Sequence, residues 1–326
     1  TLTTGDPGTV IAIVDTGVSQ SHPDLRVNVL PGYSALGGSW DDDQLISHGT
    51  HVAGIASADT DNGVGVAGVG WDCAILPVKV LGFLGSGTEP DVAAGIIWAA
   101  DNGADVINLS LGAPTFGSVL EDAVGYAADR DVVVVAATGN TPGEDVFAPA
   151  RFEETIAVGA TDNRDRVASF TTTGPEMTVS APGVDVWSTW DTFALFGPTD
   201  GYTFQSGTSM ATPHVAGVVG LVRSANPGLT RTEVQAILEA TAVDLGAPGF
   251  DPVFGHGRVD AYEAVLAATG GPCAADFDGD GELTLFDFLA FQSAFDAGEA
   301  AADFDGDGEL TLFDFLAFQS AFDAGC

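Results

Sequence analysis

The sequence predicts an α/β domain, a mostly parallel sheet with helices on both faces, followed by a small α-helical module. Three observations in the 326 residues predict it. Between residues 9 and 270, apolar β-branched runs alternate with helical patterns. Those runs are nearly continuous rather than alternately polar, as in strands covered on both faces. Finally, "ADFDGDGELTLFDFLAFQSAFDAG" stands at 275–298 and again, letter for letter, at 302–325. An identical tandem copy marks a separate module rather than an extension of the sheet.

The predicted strands are "TVIAIVD" (9–15), "AILPVKVL" (74–81), "DVINLSL" (105–111), "VVVVAATGN" (132–140) and "ETIAVGA" (154–160), each ending in turn residues. Between them the spacing predicts helices over 48–58, 90–102, 117–129, 207–225, 231–243 and 259–268. In such sheets function sits at the carboxyl ends of the strands, and Asp15, Ser110 and Asn140 fall there. The expected organisation is one domain over 1–269, a linker at 270–272 ("GGP"), and tandem repeats at 273–299 and 300–326.

Composition restricts the partners. With 46 acids against 9 Lys and Arg, the formal charge is −37, which repels nucleic acid and anionic membrane. No apolar run approaches the ~20 residues a membrane span needs, and no signal peptide opens the given sequence. The surface suits high salt, calcium-rich surroundings or the outside of a cell.

Three short motifs carry chemistry: "VDTG" with Asp15, "HGTHVAG" with His48 and "GTSMATP" with Ser209. A serine hydroxyl attacks a carbonyl only when an imidazole takes its proton and a carboxylate fixes the imidazole tautomer. A serine at a helix start also lies beside unpaired N–H groups, which favour a developing oxyanion. Pro213 lies near enough to that helix end to cost little more than one ladder bond. His48 and His51 are three apart on one helix and point in different directions; the residues alone do not choose between them. "IAIVDTGV", "HGTHVAGIA" and "GTSMATPHVAGV" resemble the three signature segments of the subtilases, the subtilisin-like serine proteases, with thermitase-like members most similar. The order Asp, His, Ser is that of subtilisin.

The resemblance covers roughly residues 9–268 and implies a subtilisin-like fold, secretion and hydrolysis of peptide bonds. It implies that Asp15 orients, His48 is general base and acid, Ser209 attacks, and Asn140 donates to the oxyanion. His51 is then structural. Substrate would lie as an added strand along Gly85, Ser86 and Gly87 and along Ser110, Leu111 and Gly112, with the primary pocket near Leu109–Gly112 and Ala137–Asn140. Phe83 and Leu84 fit either an apolar subsite wall or ordinary loop packing. Phe147 stands where a small residue is usual near the pocket floor. "DTDNGVGVAGVG" (59–70) resembles the family's calcium loop, with ligands from the side chains of Asp24 and Asn62 and the carbonyls of Thr60, Val64 and Val66.

"DFDGDGELTLFD" has carboxylates at positions 1, 3 and 5, glycine at 6 and Asp at 12, close to an EF-hand loop, where Glu is usual at 12. The expected Ca2+ ligands are Asp276, Asp278, Asp280, Glu282, Thr284 and Asp287 in one copy, and Asp303, Asp305, Asp307, Glu309, Thr311 and Asp314 in the other. A loop followed by one helix, duplicated, resembles a dockerin, although Leu285 and Phe286 replace the polar pair of dockerin recognition. A protein or cell-surface partner is expected for this module. Cys273 and Cys326, its first and last residues, are expected to pair, and Cys73 to be a buried thiol. The competing reading is a catalytically silent subtilase-like scaffold whose C-terminal module binds a partner or surface.

Overall fold

The structure is a computed structural model that describes residues 2–42, 46–191, 201–270, 275–278, 283–304 and 308–324. It divides into two compact units, Thr1–Val265 and Leu266–Cys326.

In the first unit seven parallel strands form one sheet. They are β1 (Val10–Asp15), β2 (Tyr33–Ser34), β3 (Ala74–Lys79), β4 (Val106–Leu109), β5 (Val133–Ala137), β6 (Thr155–Thr161) and β7 (Val179–Pro182), in the order β2-β3-β1-β4-β5-β6-β7. The expected parallel sheet of an α/β fold is therefore present. The chain runs outward from β1 to β3 and then crosses back to β4, so the order reverses between β1 and β4. Loops leaving those two carboxyl ends diverge and open a crevice there.

The strands are buried on both faces, and their alternation sorts side chains between two helix layers. Ala12, Val14, Leu76, Val78, Ile107, Leu109, Val134 and Ala136 pack with Val92 and Ile96 of α2 (Glu89–Asp101) and Leu120 and Val124 of α3 (Ser118–Ala128). Each Val, Leu or Ile among them contributes roughly 1.5–3 kcal/mol by leaving water. On the other side α4 (Thr208–Ala225) runs across β1, β4, β5, β6 and β7 and packs on α1 (His48–Ser57). Thr88 starts α2, and Thr230 starts α5 (Arg231–Thr241), each through a reciprocal capping box with an acid three residues on. The antiparallel pair β8 (Val186–Trp190) and β9 (Gly201–Gln205) stands outside the main sheet, with β8 against α1. Helix α6 (Ala261–Ala268) contains the division between the units.

In the second unit, α7 (Leu285–Ala297) and α8 (Leu312–Ala324) are the duplicated helices. Phe291 and Phe318 are equivalent residues of the two copies, and their rings stack at 4.1 Å and 2°. Phe277 meets Phe318 while its counterpart Phe304 meets Phe291. Like touching like, with reciprocal cross-contacts, is the signature of a two-fold arrangement, here between two copies within one chain.

Candidate active site

Asp15 ends β1 fully buried, and the Thr16 N–H donates to its Oδ1 at 2.7 Å. His48 is the first residue of α1, and its Nδ1 lies 2.9 Å from both Asp15 oxygens. The N-terminal turn of α1 is held by the loops around it rather than by its own cap. Ser47 precedes the helix, but its hydroxyl donates to the Asp191 carbonyl at 2.5 Å. The orphan N–H of Gly49 instead donates to Thr16 Oγ1 at 2.9 Å, and that of Thr50 to Asp42 Oδ2 at 3.0 Å. Gly49 is required because a Cβ there would collide with the Gly17 carbonyl. The residue after the carboxylate thus grips the residue after the histidine, fixing the spacing of the pair.

Asp42 is a carboxylate that the sequence did not single out. It is 3% exposed, also accepts from Thr50 Oγ1 at 2.6 Å, and keeps Oδ1 buried without a hydrogen bond among the described residues. Burial, reinforced by the negative charge of Asp15 and only partly offset by the Thr50 bonds, pushes its carboxyl up to about 7. At His48 burial works against the charged ring, but the charge and hydrogen bond of Asp15, with a further contribution from Asp42, raise it above 6.5. His51 is different: burial lowers it to about 4, and its Nε2 lies 3.1 Å from the Thr203 carbonyl, a structural contact.

Ser209 lies in the first turn of α4, half-buried, and its hydroxyl donates to the Ser110 carbonyl at 3.1 Å. Pro213 has no N–H for the Ser209 carbonyl four residues back, and Ser110 Oγ donates to that carbonyl at 2.8 Å. Asn140 follows β5. Its Oδ1 accepts from the Thr208 N–H at 2.9 Å and the Thr208 hydroxyl at 3.1 Å, which turns its Nδ2 donors away from Thr208. Asn140, His48 and Ser209 line one cleft of about 560 Å³ with Gly85, Ser86, Gly87, Ser110, Leu111, Gly112 and Ala137. Leu109, expected at the primary pocket, is wholly buried in the core facing α2 and α3 instead, because it is the last inward position of β4. Leu84 lines the cleft, and Phe147 lines it too.

Residues 6–257 match the model of the subtilase family. The chain belongs to this family of serine-type endopeptidases. Over 264 residues it is 46% identical to a thermophilic serine proteinase of Bacillus sp. strain AK1, covering 81% of this chain and 63% of that relative, less than two thirds of its length. It is 45% identical over 258 residues to thermitase of Thermoactinomyces vulgaris, covering 79% of this chain and 88% of thermitase. Among solved structures, sphericase superposes with a TM-score of 0.72 at 36% identity, over 79% of this chain and 93% of that one. A protease of Pseudoalteromonas arctica PAMC 21717 gives 0.73 at 33% identity, over 81% and 91%. The family match stops before the repeats.

In the 59–70 loop, Asp24 is buried and accepts from Asn62 Nδ2 and from the Val66 N–H, both at 2.8 Å. Asn62 therefore presents its nitrogen to Asp24, while its Oδ1 accepts from the Val64 N–H at 2.8 Å. A cation shared by Asp24 and Asn62 requires that amide to turn over. In the second unit, Asp276, Asp278 and Asp287 bring one carboxylate oxygen each within 4.8 Å of one another. Asp303 Oδ1 of the other copy is buried without a hydrogen bond among the described residues. Both features fit a hard divalent cation with oxygen ligands. Thr284 caps α7 in a capping box with Asp287, and Asp314 accepts from the N–H groups of Thr311 and Phe304 at 2.7 and 2.8 Å. Asp280, Glu282, Asp305, Asp307, Cys273 and Cys326 lie outside the described residues.

No helix of the described residues is long and apolar enough to cross a membrane.

Proposed function

We propose that the protein hydrolyses peptide bonds through Asp15, His48 and Ser209 by way of an acyl-enzyme, and that it acts outside the cell. The observation that carries this reading is the two-oxygen seat of His48 Nδ1 on Asp15 at 2.9 Å, beside a serine at a helix N-terminus in the same cleft. Asp15 holds the proton on Nδ1, so Nε2 is the base. Ser209 Oγ leaves the Ser110 carbonyl, passes its proton to Nε2 and bonds to the scissile carbon. The carbonyl oxygen, now negative, takes hydrogen bonds from Asn140 Nδ2 and the Ser209 N–H. The imidazolium then gives its proton to the leaving amine as the C–N bond breaks. Water repeats the sequence on the ester, with His48 again the base, releasing the acid and restoring Ser209.

Calcium is the proposed structural ion of the repeats. Asp276, Asp278 and Asp287 would hold it in one copy, joined by Thr284, Asp280 and the Glu282 carbonyl; Asp303 and Asp314, with Asp305, Asp307, Glu309 and Thr311, would serve the other. When bound it supplies positive charge that neutralises the carboxylates. The carbonyls of Thr60, Val64 and Val66 with Asp24 and Asn62 would form another calcium site once the Asn62 amide turns over. The module itself is proposed to bind a protein or cell-surface partner.

A serine-directed fluorophosphonate tests the catalytic proposal. Ser209 should be labelled and the S209A variant should not. Failure to label, or near-wild-type turnover of a peptide ester by S209A, would count against the mechanism.

A further inference from the structure

Phe147 stands at the end of the trough that receives the side chain next to the bond being cut. Two backbone segments make the walls of this trough: 110–113, leaving β4, and 137–141, leaving β5. Phe147 is tied to both. Its N–H donates to the Thr138 carbonyl at 3.0 Å, and the Ala113 N–H donates to the carbonyl of the next residue, Ala148, at 3.0 Å. Its ring lies flush on Gly139, where an added methyl would sit 3.1 Å from both Cγ and Cδ2. A methyl on Gly112 would sit 3.3 Å from its Cβ. The glycines thus leave room for the phenyl group, which takes the space between the walls.

The position follows from the reacting atoms. Gly139 adjoins Asn140, and Ser110 exchanges hydrogen bonds with Ser209, so both walls start at the groups that would hold the scissile carbonyl. The side chain on the acyl side of that carbonyl enters between them. There it meets Gly112, Ala137 and Gly139 on the walls and a half-buried phenyl ring ahead. No Asp, Glu, Lys or Arg among the described residues lines the cleft. Between these walls the trough is largely apolar and, among the described residues, without a counter-charge.

We propose that Phe147 closes the primary specificity pocket and restricts cleavage to bonds that follow small uncharged residues, alanine above all, with glycine and serine next. This rests on the serine endopeptidase reading and specifies its substrate class. A larger side chain must displace the ring from Gly139 or stay outside the pocket, leaving the scissile carbonyl short of the Asn140 and Ser209 donors. A mismatch of a single methylene already changes kcat/KM by about 10- to 200-fold in apolar pockets.

The experiment is a series of succinyl-Ala-Ala-Pro-X p-nitroanilides, with X as Ala, Leu and Phe, on the full chain, with active enzyme counted by fluorophosphonate titration. The wild type should favour Ala over Phe by at least about 10-fold in kcat/KM. Phe147→Gly and Phe147→Ala should open the pocket and bring Phe level with Ala or above it. The change should come mostly from substrates with large X, which a general loss of folding would not produce. A wild type that takes the label and prefers Phe overturns the inference and leaves the endopeptidase reading intact, whether or not the variants fold. So does a labelled F147G whose Ala-to-Phe ratio stays within about twofold of wild type, far short of the change one methylene brings. A chain that neither takes the label nor cleaves any member overturns both.

Discussion

Ser110 and Ser209 hold each other reciprocally: the Ser110 hydroxyl donates to the Ser209 carbonyl at 2.8 Å, and the Ser209 hydroxyl donates to the Ser110 carbonyl at 3.1 Å. The first bond exists because Pro213 leaves the Ser209 carbonyl without a helical partner. The proline therefore does more than tolerate the helix start; it frees an acceptor through which the β4 loop grips the residue that would be the nucleophile. Asn108 Nδ2 in turn donates to Ser110 Oγ at 3.0 Å and orients it.

Ser110→Ala should accordingly destabilise the fold by about 1 kcal/mol. Pro213→Ala returns an N–H to the Ser209 carbonyl, so in that background the same change should cost less. A coupling of about 0.5–1 kcal/mol is expected for groups sharing one acceptor. Urea unfolding in an S209A background, which keeps the backbone acceptor and prevents self-digestion, measures the cycle. Additive costs would show that the two groups act independently.

The pH profile should have its acid limb above 6.5. Burial disfavours the His48 imidazolium, yet the charge and hydrogen bond of Asp15 more than compensate and leave the group raised. The base form needed for attack is lost as pH falls through that raised value, so kcat/KM falls with it. Asp15→Asn removes the support and should cost on the order of 10^4-fold in kcat. A limb at or below 6 in the wild type would contradict the arrangement.

Asp42 makes a separate prediction about stability. Its folded value, about 7, lies above its ordinary 3.8. Between those values the folded chain keeps a proton that the unfolded chain has released. Its contribution is therefore full below about pH 4 and is lost as pH rises through about 7, by at most about 4 kcal/mol. Asp42→Asn keeps an acceptor for Thr50 without the charge. It should melt higher than its parent at about pH 8.5 and no higher at about pH 4.5, measured in the S209A background. In active enzyme it should also move the His48 limb to lower pH, since Asp42 helps raise that group. Equal melting shifts at both pH values would show that Asp42 is ionised throughout.

Asn140→Ala should lower kcat by about 100- to 1000-fold, the usual loss for one oxyanion donor. Thr208→Val keeps the backbone N–H bond to Asn140 Oδ1 but removes the 3.1 Å hydroxyl bond, so its effect should be smaller and share the sign. Stopped-flow or steady-state kcat on one peptide substrate ranks the two. A T208V loss exceeding that of N140A would mean that Thr208 acts by another route.

What was legible in the sequence was local. The parallel strands 10–15, 74–79, 106–109, 133–137 and 155–161 read clearly because burial on both faces leaves long apolar runs. Asp15, His48 and Ser209 each sit in a short motif whose neighbours serve them. The grips between motifs were hidden, because Thr16 reaching Gly49 and Asn140 reaching Thr208 are tertiary contacts between residues 33 and 68 apart. Ser47 directly precedes α1, yet its hydroxyl serves the Asp191 carbonyl rather than the helix's N–H groups. Strands β7 and β8 escaped notice because "VSAPGVDVWSTW" is broken by proline and glycine, and β9 because the β8–β9 pair lies outside the buried sheet.

The repeat module should depend on calcium for its fold and leave peptide hydrolysis unaffected when removed. Its two loops contain eight Asp among the expected ligands, and residues 273–326 contain no Lys or Arg to neutralise them. Repulsion on this scale opposes the stack of Phe291 on Phe318 that joins the copies, and a divalent cation in each loop reverses it. Asp287 tightens the coupling, because one carboxylate caps α7 with Thr284 and also faces Asp276 and Asp278. Chelation should therefore loosen the helix start along with the loop. Asp287→Ala in the first copy should weaken calcium binding and helicity together, whereas Phe286→Ala, at an exposed position, should change neither. The full chain in chelator should lose helical circular dichroism equivalent to α7 and α8 and regain it on adding calcium, and truncation after Gly271 should leave kcat on a small peptide unchanged. If the signal stays constant in chelator, the aromatic stack suffices without the ion. If turnover falls on truncation, the repeats belong to the catalytic unit, although the family match ends at residue 257.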